Sequence, residues 1–193
     1  MDLVIVDYKA GNVQSVQFAL ERLGVQATLS ADAETIKAAD KVIFPGVGQA
    51  ASAMAQLKAR NLDKLLPTLE QPFFGVCLGM QLLCQHSEEG DTDLLGIIPL
   101  PVKHFVTDLK VPHMGWNQLE NLQTPLFKGL QEQEYAYYVH SYYVPLSEFT
   151  IAKTSYPEPF SAALNYKNFY AAQFHPEKSG AAGSQILKNF LAL

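Results

Sequence analysis

Three uninterrupted apolar runs, Leu3-Val4-Ile5-Val6, Val42-Ile43-Phe44 and Phe73-Phe74-Gly75-Val76, punctuate the first 76 residues. A strand apolar at successive positions is buried on both faces, which in practice means a parallel sheet covered by helices. Helical spacing fills the intervals. Val13, Val16, Phe18, Ala19, Leu20 and Leu23 fall on near-helical positions, with Asn12 as N-cap and Gly24 as stop. A further strand is expected around Ala27–Leu29, then helices from Asp32 to about Ala39 and from Gln49 to about Ala59, with a short one before Pro67. After the run ending at Val76, a helix is expected from Leu78 to about Gln85. This β-α-β-α order predicts an α/β fold with helices on both faces of a mostly parallel sheet.

The second half changes character. Val102–Val106, Glu134–Val139, Phe149–Thr154, Ser161–Asn165 and Phe169–Phe174 read as strands separated by turns, and a final helix runs from about Ala182 to Leu191. No linker, repeat or low-complexity tract divides the chain, so residues 1–193 are expected to form one domain with an appended antiparallel section. With 193 residues, 48% of them hydrophobic and 17% charged, the chain has the composition of a folded globule. A net charge of −5 without any basic run argues against nucleic acid as a partner. No apolar stretch approaches the ~18 residues needed to span a bilayer. Asp2 and Asp7 stand where a secretory leader would carry positive charge and an apolar run, so a cytoplasmic protein is expected.

Chemistry concentrates at Gly75-Val76-Cys77-Leu78-Gly79, between an apolar strand and a helix. This has the form of a nucleophile elbow with Cys in place of Ser: small neighbours permit a sharp turn that holds the nucleophile clear of the sheet. The helix N-terminus favours a thiolate there, and the N–H of Leu78 is placed to donate to an oxyanion. The bland alternative is a structural cysteine beside packing glycines. Cys84, in Leu82-Leu83-Cys84, reads as a core hydrophobe. Seven residues of helix would separate the two cysteines by ~10 Å, too far for a disulfide. They also make no zinc pattern.

A cysteine nucleophile needs a base and the base an orienting group. Of the five histidines, His175 follows the apolar strand Phe169–Phe174, and Pro176 restrains it to an extended conformation. In an extended segment Glu177 shares a face with His175, which would hold a carboxylate beside the imidazole. A strand simply ending in two solvent-facing polar residues is the competing reading.

Taken together, Pro45-Gly46-Val47-Gly48, Gly75-Val76-Cys77-Leu78-Gly79-Met80-Gln81, His140-Ser141-Tyr142 and Gln173-Phe174-His175-Pro176-Glu177 resemble class I, triad-type glutamine amidotransferases, in the family's order and over essentially the whole chain. The resemblance implies that family's flavodoxin- or Rossmann-like three-layer fold, with antiparallel C-terminal strands. Asp7-Tyr8-Lys9-Ala10-Gly11-Asn12 and Val111-Pro112-His113-Met114-Gly115-Trp116-Asn117, the latter expected as a loop, are similar to the branch that serves imidazole glycerol phosphate synthase. By resemblance, Cys77, His175 and Glu177 form the catalytic triad; Val47 and Leu78 supply the oxyanion hole; Gly48, Gln81, Glu89, Ser141 and Tyr142 bind glutamine. No metal and no cofactor is implied.

The branch resemblance also implies a partner, a (βα)₈-barrel cyclase subunit that receives ammonia to form imidazole glycerol phosphate and an aminoimidazole carboxamide ribotide in histidine biosynthesis. Its docking face is expected to include Asn12, His113, Trp116, Tyr137 and Lys178. A stand-alone thiol hydrolase and a non-catalytic scaffold are the alternatives. Many relatives carry glycine where this chain has Val47. Turning the N–H of a β-branched residue into the site would then cost ~1–3 kcal/mol, and the expectation is an oxyanion hole that is not preformed. Alternatively the N–H already points inward and Val47 merely packs.

Overall fold

The computed structural model describes residues 1–9 and 13–193; the expected N-cap Asn12 lies outside the described residues. The first half follows the expected alternation: β1 (Leu3–Val6), α1 (Val13–Arg22), β2 (Thr28–Ser30), α2 (Ala33–Ala38), β3 (Lys41–Gly46), α3 (Ala50–Ala59), α4 (Leu62–Leu65), β4 (Phe73–Cys77) and α5 (Leu78–Leu82). Local chemistry sets several boundaries. Asp32 caps α2 by accepting the Thr35 N–H at 2.8 Å. Gly24 ends α1 at φ +75°, with the next N–H, that of Val25, returning to the Leu20 carbonyl.

The second half comprises β5 (His86–Ser87), β6 (Thr92–Asp93), β7 (Pro101–His104), β8 (His113–Gln118), β9 (Tyr135–His140), β10 (Tyr142–Tyr143), β11 (Thr150–Ser155), β12 (Pro159–Tyr166), β13 (Phe169–Ala172) and α6 (Gly180–Leu191). Seven strands form the main sheet in the order β11-β12-β13-β4-β3-β1-β2. The five from β13 to β2 are parallel and β11–β12 antiparallel, the mixed sheet expected. β10-β7-β5-β6 make a smaller sheet, and β8 pairs with β9 in a two-stranded ribbon.

Strand periodicity sorts the core into two layers. Val4, Val6, Val42, Phe44 and Phe73 pack with Ile36 of α2, Met54 and Leu57 of α3, and Leu78 and Leu82 of α5. Their neighbours Leu3, Ile5, Ile43, Phe74 and Val76 face the other way, onto Val16 and Leu20 of α1 and Ile186 and Phe190 of α6. Sequential apolar residues in these strands thus serve opposite faces.

Three segments differ from expectation. The helix after Cys77 stops at Leu82 rather than near Gln85, because the 94–98 loop caps its end: Leu95 and Ile98 donate to the carbonyls of Leu82 and Leu83. Residues 113–118 are a strand, not a loop. Their periodicity is inverted, with His113 inward and Met114 and Trp116 outward, so an apolar-inward search passes over them. The last parallel strand ends at Ala172, and Pro176–Lys178 is a 3₁₀ turn, so the extended backbone expected through Glu177 stops at His175.

The helix α5 rides directly on β3. A Cβ at Gly79 would fall within contact distance of the Phe44 carbonyl carbon and overlap its oxygen, so backbone meets backbone there. Gly79→Ala is therefore expected to lower the unfolding free energy by about 2–3 kcal/mol in denaturant titration, the cost of overpacking a fixed contact.

Candidate active site

Parallel pairing brings three loops to one end of the sheet. β4 ends on Cys77, beside Gly46 of β3 on one side, while β13 on the other runs into His175. Crevices at the carboxyl ends of parallel strands are where such folds bind ligands. Cys77 is buried to 7% exposure and adopts φ 55°, ψ −111°, a conformation costing ~1–3 kcal/mol that lifts the side chain off the sheet as an elbow requires. Leu78 begins α5, where N–H groups have no intrahelical acceptor.

His175 lies behind the sulfur, 2% exposed. Its Nδ1–H donates to Glu177 Oε1 at 2.8 Å, and both side chains are only 3% exposed. The contact arises from the 3₁₀ turn, which folds Glu177 back onto the ring, and not from a shared strand face. The Tyr137 carbonyl takes the His175 N–H at 2.9 Å, and Ser179 Oγ donates to the His175 carbonyl at 2.7 Å, fixing the backbone on both sides. Burial opposes charge on this imidazole, but the Cys77 sulfur and the Glu177 carboxylate outweigh it and push its pKa up to about 10. The ring is thus an imidazolium at neutral pH. Its buried Nε2 makes no aligned hydrogen bond to a protein atom.

A cavity of about 330 Å³ opens beside the sulfur. Cys77, Leu78, His175, Val47, Gly48, Gln81, Glu89, Ser141 and Tyr142 all line it, so the sequence-predicted triad, oxyanion and glutamine-binding residues converge; Glu177 stands behind His175. Gln81 is 5% exposed, with Nε2 donating to the Tyr142 carbonyl (3.0 Å) and Gln173 Oε1 (2.9 Å). Glu89 Oε2 accepts the Ala50 N–H at 2.7 Å, tying the cavity wall to the start of α3. In the Pro45–Gly48 segment the left-handed φ, +102°, falls on Gly48, which has no Cβ to oppose it; Val47 is 39% exposed. Cys84 is fully buried, its thiol pushed up to about 12 by desolvation.

On the surface, Trp116 (55% exposed) meets Tyr137 edge-on at 6.0 Å, and Lys178 Nζ sits 5.9 Å over the Tyr137 ring. Exposed Met114 shares the outward face of β8. Trp116, Tyr137 and Lys178 thus lie side by side on one surface. His113 does not join it: alternation along β8 turns its ring inward to 4% exposure, where it stacks on Tyr156 and Tyr138. The expected docking residue Asn12 lies outside the described residues.

Sequence reasoning missed three residues. Gln173 is fully buried with Nε2 3.8 Å from the Cys77 sulfur; it stood inside the quoted Gln173–Glu177 motif without a role. Tyr8 is buried and donates its hydroxyl to the Pro45 carbonyl at 2.9 Å, two residues upstream of Val47. His140 packs against His113, a pairing that strand register creates and composition conceals.

Comparison with known proteins points to one family. The model of the family Glutamine amidotransferase class-I matches residues 4–193. The chain is 56% identical to the imidazole glycerol phosphate synthase subunit HisH of Bacteroides thetaiotaomicron and 48% identical to that of Photorhabdus laumondii, covering 100% of both chains in each case. Among solved structures, a glutamine amidotransferase superposes with a TM-score of 0.77 at 19% identity, covering 98% of this chain and 97% of that one. PurLQS from Thermotoga maritima superposes with 0.74 at 15% identity, covering 99% and 97%. With an elbow cysteine, a buried His–Glu pair and a full-length match, the chain belongs to the class-I glutamine amidotransferase family.

Proposed function

We propose that this chain is the glutaminase subunit of imidazole glycerol phosphate synthase, hydrolysing glutamine and delivering the ammonia to a cyclase subunit. The observation that carries the chemistry is the buried His175–Glu177 pair behind an elbow cysteine in a cavity of amino-acid size. Full-length identity of 48–56% to proteins of that name supports the assignment to this synthase.

In this reading the Cys77 sulfur attacks the side-chain amide carbon of glutamine as a thiolate. The tetrahedral oxygen receives N–H groups from Leu78 and Val47, donors aimed at charge that exists only in the transition state. The His175 imidazolium, held in its charged form by Glu177, gives its Nε2 proton to the leaving nitrogen, and ammonia departs. Neutral His175 then takes a proton from water, which attacks the γ-glutamyl thioester and releases glutamate. Glu89, partly engaged by the Ala50 N–H, holds the substrate's α-ammonium with its remaining capacity.

Ammonia leaves toward the partner at the surface of Met114, Trp116, Tyr137 and Lys178. An exposed tryptophan braced by a second aromatic is the type of side chain that anchors an interface. The Val47 N–H is turned inward when the partner holds its own ligand. Gly48 beside it supplies the backbone freedom for that turn, and Tyr8 and Glu89 pin the segment at Pro45 and Ala50.

Glutamine hydrolysis by the isolated subunit is expected to run at least about tenfold slower than in the complex with the ligand-bound cyclase; equal rates would remove the gating. Glu177→Gln is expected to lower kcat on the order of 10²–10⁴-fold with little change in KM, measured by glutamate release. Trp116→Ala is expected to weaken the heterodimer by about 2 kcal/mol, roughly thirtyfold in Kd by calorimetry, with the triad intact.

A further inference from the structure

His113 and His140 stand directly opposite each other on β8 and β9, both buried, and neither takes part in the chemistry above. Their contacts form a chain. Asn117 Nδ2 lies 3.3 Å from His113 Nε2; His113 Nδ1 lies 3.0 Å from His140 Nε2; His140 Nδ1 lies 2.7 Å from the Tyr142 carbonyl oxygen. The same carbonyl accepts from Gln81 Nε2, which also donates to Gln173 Oε1, and Gln173 Nε2 ends 3.8 Å from the Cys77 sulfur.

Every proton along this chain follows from one acceptor. A carbonyl oxygen only accepts, so His140 Nδ1 carries a hydrogen. A neutral imidazole has one N–H, so His140 Nε2 is bare and accepts from His113 Nδ1–H. His113 Nε2 is then bare in turn and accepts from the Asn117 amide. On the other side, Gln81 must turn its NH₂ toward Tyr142, and Gln173 must meet it with Oε1. The Gln173 NH₂ therefore points at the sulfur, and Gln81 keeps Oε1 as its free acceptor. Protonating either histidine would set two N–H groups against each other. Burial holds both neutral, pushing His113 down to about 4 and His140 to about 3, and the nearby charge of His175 opposes a cation at His140.

We propose that His113 and His140 are neutral positioning residues that hold the Tyr142 carbonyl in place, and that this carbonyl fixes the donor–acceptor sense of Gln81 and Gln173, so that Gln173 presents an N–H to the Cys77 sulfur and Gln81 presents an oxygen to the bound substrate. This deepens the proposed glutaminase reading. Gln173 stabilises the thiolate, and the histidines hold the carbonyl that keeps the amides turned the right way. A flipped Gln173 would place its oxygen against the sulfur.

Nitrogen-15 NMR of the histidine rings in the intact wild-type chain tests the wiring without any substrate. Both rings are expected as neutral Nδ1–H tautomers from pH 8 to pH 5; an Nε2–H tautomer or an imidazolium at His140 at pH 6 would overturn the proposal. The second arm measures the pH profile of Cys77 alkylation by iodoacetamide, which needs no glutamine. Titratable groups near the sulfur are His175 with Glu177, Tyr8 and, around the cavity, His140, Tyr142 and Glu89. Gln173→Glu, which replaces the N–H by a carboxylate oxygen, is expected to slow alkylation at pH 7 at least about tenfold and move the profile to higher pH. Gln173→Met and His140→Phe should move it the same way by less. Profiles that superpose on the wild type in folded Gln173→Glu and Gln173→Met would overturn the role at the sulfur. Both arms read the free chain, so they fail separately from the glutaminase assignment, which glutamate release tests.

Discussion

Backbone packed on backbone, where α5 begins above β3, is the contact on which the rest of this active site depends. The missing side chain at Gly79 lets the helix settle onto the Phe44 carbonyl, while Gly75 faces the Gly79 carbonyl from below. That approach forces the turn at Cys77 into φ 55° and aims the sulfur into the crevice. It also brings the first N–H of α5 beside the Pro45–Gly48 segment, so the two proposed oxyanion donors come from elements already in contact. Strain at Cys77 is held by the sheet on both sides, since β4 is a central strand between β3 and β13.

The same centrality explains the electrostatics. β13 is parallel to β4 and in register with it, so the chain leaving β13 delivers His175 beside Cys77. The 3₁₀ turn then buries Glu177 against the ring, with Tyr137 and Ser179 bonding the His175 backbone. Burial alone would keep the imidazole neutral; the Cys77 sulfur and the Glu177 carboxylate reverse that outcome. A few ångströms away His140 and His113, without such neighbours, stay neutral. Imidazoles of one chemistry thus take two charge states within one site, set by who faces them.

Much of this was legible in the amino-acid order. The runs Leu3–Val6, Val42–Phe44 and Phe73–Val76 announced parallel strands because burial on both faces leaves no polar alternation, and the glycines around Cys77 announced the elbow. His175 and Glu177 were found as a pair, though the geometry that joins them is a turn and not an extended strand. Strand β8 was hidden: its Met114 and Trp116 point outward and its His113 inward, opposite to the pattern that reveals a strand, whereas β9, with Ala136, Tyr138 and His140 inward, was legible. The branch resemblance, with residues 111–117 expected as a loop, put His113 on the surface beside Trp116, and alternation along β8 turns it inward instead. Gln173 and Tyr8 carried no local signal, since their roles come from residues 96 and 37 positions away in the chain.

The central claim is that Cys77 is the nucleophile of an amide-cleaving triad. Rapid acid quench of the complex with the ligand-bound cyclase during glutamine turnover, followed by mass mapping, tests it at the atom concerned. The account predicts a single glutamyl adduct, cleaved by hydroxylamine as a thioester, on the peptide containing Cys77, and its loss in Cys77→Ser. An adduct on Cys84, or glutamate formation that persists in Cys77→Ser without any covalent intermediate, would contradict it.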